Sequence, residues 1–149
     1  MDDLTTFINA RLDEDEQTAR RGAEVCGCHP AAPVWAFGDE TTDGRILVVD
    51  DPHPSIKRKL GRRWNGSYEG LFAAEHIARH DPARVLRQVA AGRGLLRELA
   101  SAEFTLRPAG RGTPPHDIMT GAVNSLRNAV RHLASTWSDH PDYRDEWRP

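Results

Sequence analysis

Three stretches of the chain place apolar residues every three or four positions, the repeat of an amphipathic helix. In the first, Leu4, Phe7, Ile8, Leu12 and Ala19 follow Asp2 and Asp3, either of which can cap the start, and they predict a helix over residues 4–23. Asp13-Glu14-Asp15-Glu16 fall in its middle and Arg20-Arg21 near its end, an order that suits the helix dipole. In the second stretch, Leu71, Phe72 and Ile77, then Val85, Val89, Leu96 and Leu99, predict a helix pair over residues 68–102, interrupted at Asp81-Pro82. Aspartate at an N-cap accepts N–H groups that have no helical partner, and proline at the first helical position has no N–H to lose. Gly92 and Gly94 fall inside the second member of the pair, each costing about 1 kcal/mol relative to alanine. They mark a bend or a close helix–helix contact. The third stripe is the cleanest: Met119, Ala122, Val123, Leu126, Val130, Leu133 and Trp137 predict a helix over residues 116–137, with Asn124, Arg127, Asn128 and Arg131 on its other face.

Between these stretches the period changes. Val34-Trp35-Ala36-Phe37 and Arg45-Ile46-Leu47-Val48-Val49 are short β-prone runs around a polar turn and predict a hairpin over residues 34–49. Residues 55–67 read as a basic loop, and Arg107 to Pro115 as a loop by composition. Tyr143 and Trp147, four apart, predict a docked C-terminal turn over residues 139–147. The expectation is one small domain over residues 1–149, α+β but mostly α: three longer helices plus short helices packed with a small β-hairpin.

Three blocks carry a resemblance. Residues 4–20 with RLDEDEQTAR as their core, AEHIARHDPARVLRQV at 74–89 and DHPDYRDEWRP at 139–149 keep a fixed order along the chain. Together they resemble a family of small actinobacterial and actinophage proteins known only as a domain of unknown function. The resemblance implies kinship and an actinobacterial or phage origin, and it brings no activity or catalytic residues. Family members often carry a cysteine-containing stretch before the terminal motif. Here residues 119–137 have none.

Composition adds bounds. No apolar run approaches the roughly 20 residues that span a bilayer. The start lacks the basic and apolar segments of a secretory signal. Cys26 and Cys28 are too close to close a useful disulfide loop. A soluble cytoplasmic protein without a membrane partner is expected. Charge is segregated: residues 1–54 hold 12 acids against 4 bases, a balance of −8, and residues 55–131 hold 14 bases against 6 acids, a balance of +8. Such a split either presents a basic face or cancels within the fold.

Candidate chemistry is sparse. Lys57, Arg58, Lys59, Arg62, Arg63 and Trp64 interleave bases with an aromatic, the composition of a loop that neutralises phosphates and stacks on a base. His76 and His80 stand at helical ligand spacing, and Cys26, Cys28 and His29 form a second cluster, so zinc is the metal that either set would take. His53 and His116 are further donors. The Cys-x-Cys spacing is shorter than that of zinc knuckles, and no second cysteine pair follows. No phosphate-binding Gly-Lys-Ser/Thr loop or Gly-x-Ser-x-Gly elbow occurs, so the reading leans away from an enzyme. Three functions follow: a non-enzymatic protein-interaction or regulatory module without a cofactor, a nucleic-acid binder, or a small zinc protein. The stripe over residues 119–137 is also a candidate seam for a homo-oligomer.

Overall fold

A computed structural model describes residues 2–23, the backbone of residues 35–37 and 46–48, and residues 75–149. Among these, α1 is Asp2–Ala23, α2 is a helical segment over residues 75–79, α3 is Pro82–Leu106 and α4 is Pro114–Ala134. One-turn 3-10 helices follow at Ser135–Trp137 and Asp145–Trp147. No helix among the described residues is long and apolar enough to cross a membrane.

The α+β class expected from the sequence is overturned: the described chain is a helical fold. Paired strand among the described residues is limited to β1, Trp35–Phe37, and β2, Ile46–Val48, which run antiparallel with Trp35 opposite Val48 and Phe37 opposite Ile46. Three residues a side make a ribbon, not a layer. A sheet that stands as part of an architecture needs three or more strands or a packed apolar face, and no such layer occurs among the described residues. Short β-prone runs thus report local backbone preference without setting the class.

The chain divides into two compact units, residues 1–14 with 89–149, and residues 15–88. In the first unit, Leu4, Phe7, Ile8 and Leu12 of α1 are buried together with Val89, Leu96 and Leu99 of α3 and Val123, Val130 and Ala134 of α4. These are the positions that the three-to-four spacing assigns to one helix face. Of the stripe over residues 119–137, Val130 is wholly enclosed and Val123 nearly so, whereas Ala122 is exposed. Arg93 bridges α3 to α1 through Asp13 at 2.6 Å.

The C-terminal segment closes over the start of α1. Trp147 is buried, its ring centroid 5.0 Å from that of Phe7 and 5.9 Å from that of Tyr143. Arg144 reaches Asp3 at 3.0 Å and lies over the Trp147 ring at 5.2 Å. Beneath this cap Arg11 is itself buried. One Nη donates to Glu14 at 2.7 Å, the other lies against His140 Nε2, and the guanidinium sits over Phe7 at 5.5 Å.

In the second unit, Ala19, Ala78 and Ala83 are buried and Gly22 lies against the Pro82 ring. α2 ends as His80 N–H is shared between the carbonyls of His76 and Ile77 at 3.1 Å each, and α3 begins at once. The buried Asp81 carboxylate accepts the Arg84 N–H at 2.6 Å, and its carbonyl accepts the Val85 N–H at 3.1 Å, the arrangement of an N-cap ahead of Pro82. Asp81→Ala is expected to lower stability by about 1 kcal/mol, and Asp81→Asn by much less, since the amide oxygen still caps. Urea titration of both variants checks this. Equal losses would show that the carboxylate acts other than as a cap.

Candidate functional site

The turn between α3 and α4 builds a cleft. α3 runs on to Leu106, and the chain then reverses through Arg107–Thr113, with Gly112 at a left-handed φ of 76° that glycine adopts without strain. Thr113 is the N-cap of α4. Its side chain accepts the His116 N–H at 3.4 Å and its carbonyl the Asp117 N–H at 3.1 Å. Pro114 and Pro115 occupy the first two helical positions, where a missing N–H costs nothing.

The reversal brings Glu103, near the end of α3, opposite Arg127 of α4. Arg127 Nε and Nη2 both donate to Glu103 Oε1, at 3.0 and 2.8 Å, with both side chains partly shielded. Around this pair, Leu106, Arg107, Ala109, Arg111 and His116 complete an open cleft of about 380 Å³. Three guanidinium groups therefore share the cleft with one carboxylate, and that carboxylate is committed to Arg127. Among the described residues no acidic side chain pairs with Arg107 or Arg111. His116 Nδ1 lies 3.3 Å from Asp117, outside the cleft lining. Two large apolar side chains at the same end of the hairpin are strongly exposed. Phe104, next in the chain to Glu103, keeps 74% of its surface, and Ile118, two residues after His116, keeps 72%.

The candidates named from the sequence fall differently. Lys57, Arg58, Lys59, Arg62, Arg63 and Trp64 lie outside the described residues, as do Cys26, Cys28, His29 and His53. His76 and His80 are described, both exposed, with their rings tilted by 40° and 4.4 Å apart. Local desolvation, then the neighbouring His76, Arg84 and Arg79, hold the His80 imidazole below its ordinary range. No group of three or more His, Cys, Asp or Glu side chains able to hold a metal occurs among the described residues. The cationic cleft was not legible as a site. Glu103 and Arg127 stand 24 residues apart and meet only when the hairpin closes. The available signal was weak: Arg107 and Arg111 flanking a Pro/Gly turn, and a single arginine on the polar face of the next helix.

A helical protein with an arginine-lined cleft at the turn of an antiparallel helix pair is what this geometry defines. The whole chain, residues 1–149, matches the model of the family of unknown function DUF6221, and the protein belongs to that family. No curated protein and no solved structure matches it.

Proposed function

We propose that this protein is a non-enzymatic interaction module that binds an acidic segment of a protein partner at the α3–α4 turn. The actinobacterial or phage setting implied by the three sequence blocks is part of the same reading. One observation carries it: Arg107, Arg111 and Arg127 line one cleft with a single carboxylate among them. Like charges gathered around a concave surface raise the local concentration of a counter-charged ligand and steer its approach. Arginine also offers a planar fork that matches a carboxylate with two parallel hydrogen bonds. Exposed Phe104 and Ile118 at the same end add the apolar contact that interface centres use, aromatic and arginine side chains being the residue types most enriched there.

The test is binding of a fluorescein-labelled peptide rich in aspartate and glutamate to the full chain, followed by anisotropy. Binding should weaken several-fold between 50 and 200 mM salt, since contacts between exposed charges are screened over about a Debye length. Charge reversal at Arg107 and Arg111 together should abolish it while the melting temperature holds. Undiminished binding by that double variant would remove the cleft from the interaction.

A further inference from the structure

We propose that the anionic group this cleft is built to hold is a phosphomonoester dianion, gripped by arginine side chains. The inference rests on the reading of the α3–α4 turn as the anion-binding surface, and it names the anion.

The first argument is what the start of α4 withholds. A helix N-terminus ordinarily presents free N–H groups to a phosphate. Here the first two positions are prolines, the His116 N–H is taken by the Thr113 side chain and the Asp117 N–H by the Thr113 carbonyl. The start of α4 has no N–H left to donate, so the cationic donors that line the cleft are the side chains of Arg107, Arg111 and Arg127.

The second argument is preorganisation. Arg127 donates through Nε and Nη2 to one oxygen of Glu103, which leaves Nη1 outside the pair and fixes the plane of the guanidinium before any ligand arrives. A donor already held in place loses less rotamer freedom on binding.

Charge supplies the third. Three guanidinium groups less one carboxylate leave the lining at +2, with histidine neutral. A phosphomonoester carries about −1.5 to −2 near neutral pH and three acceptor oxygens, enough to meet separate arginine forks. A single carboxylate would neutralise half of the excess and has two oxygens to offer. Finally, a cleft of about 380 Å³ lies at the small end of ligand-sized sites and exceeds what a phosphoryl group alone would fill. Leu106 and Ala109 provide apolar wall for the carbon group that bears it. A small phosphorylated metabolite and a phosphorylated side chain share this chemistry.

Isothermal titration of the full chain with O-phosphoserine, a phosphoserine peptide, the same peptide with aspartate in place of phosphoserine, and succinate tests the proposal. The two phosphorylated ligands are expected to bind at least about tenfold more tightly than the aspartate peptide and succinate, the scale of one charge-assisted hydrogen bond. Arg111→Gln should weaken both phosphorylated ligands about tenfold. Arg111→Lys should recover only part of that loss, because an ammonium keeps the charge without the fork. Arg111 is exposed and makes no ion pair among the described residues, so both variants should fold, with unchanged melting temperature as the control. A phosphopeptide that outbinds phosphoserine assigns the phosphoryl group to a protein partner, and equal affinities assign it to a small molecule. Succinate or the aspartate peptide binding as tightly as the phosphorylated ligands would overturn the proposal and leave the acidic-partner reading standing. Binding of none of the four, with the acidic peptide also failing, would overturn both.

Discussion

Trp147→Ala should remove about 3–5 kcal/mol of stability, the range for truncating a buried large aromatic side chain. The residue lies in a one-turn 3-10 helix beyond the last long helix. Yet it is 8% exposed, packed on Phe7, and in contact with Tyr143 and Arg144. Phe7 and Ile8 belong to the apolar stripe of α1, so the cavity left by the indole would open directly onto the core. A loss of this size is a large share of the 5–15 kcal/mol that typically separates folded from unfolded domains. At this chain length it corresponds to a fall in melting temperature of roughly 10 °C. The control is Arg144→Ala. Its pair with Asp3 has both partners more than half exposed, and such pairs contribute about 1 kcal/mol or less. Its place over the Trp147 ring adds about 0.5–1 kcal/mol at an exposed site. Thermal melts that show Trp147→Ala no worse than Arg144→Ala would mean that the terminal segment adds surface contact only.

How far the sequence could be read follows from the range of the interactions involved. The apolar stripes were legible because burial on a helix has a fixed period, and Leu4, Phe7, Ile8, Leu12, Val89, Leu96, Leu99, Val123 and Val130 are buried where that period places them. Arg11 obeys the same arithmetic. It stands three and four residues after Ile8 and Phe7, on the buried face, but its charge argues for solvent in any reading by residue type. Glu14 for one Nη and the Phe7 ring are its neighbours on the same helix, but only the assembled structure supplies His140 Nε2 against the other Nη. The α+β expectation failed for a related reason. β-propensity describes how a side chain suits a pleated surface with neighbours on it, and neither run could show whether such neighbours exist. The cleft lay furthest from view. Its members come from the end of α3, the turn and two separate levels of α4, and no periodicity within one element connects them.

The two glycines of α3 should respond in opposite directions to the same substitution. Both sit inside a helix, where alanine is favoured over glycine by about 1 kcal/mol. A Cβ at Gly94 would meet only the far end of the Arg97 side chain at 3.8 Å, so Gly94→Ala should gain close to that full amount. A Cβ at Gly92 would stand 3.0 and 3.3 Å from the two terminal methyl groups of Leu12 and 3.5 Å from a methyl of Leu133. Leu12 is 2% exposed and cannot swing aside without displacing its own neighbours. Overpacking of this kind costs about 1–3 kcal/mol, which exceeds the helical gain, so Gly92→Ala should lose roughly 1 kcal/mol. Gly92→Leu, which drives three more carbons into the same space, should lose about 3 kcal/mol or more. Contact between the two sites gives the decisive measurement. Against a Leu12→Ala background the obstructing methyl groups are gone, so Gly92→Ala should turn from harmful to favourable, a coupling of about 1–2 kcal/mol in a double-mutant cycle by urea denaturation. Additive effects in that cycle, or equal gains from alanine at both glycines, would show that α1 and α3 do not meet at Gly92.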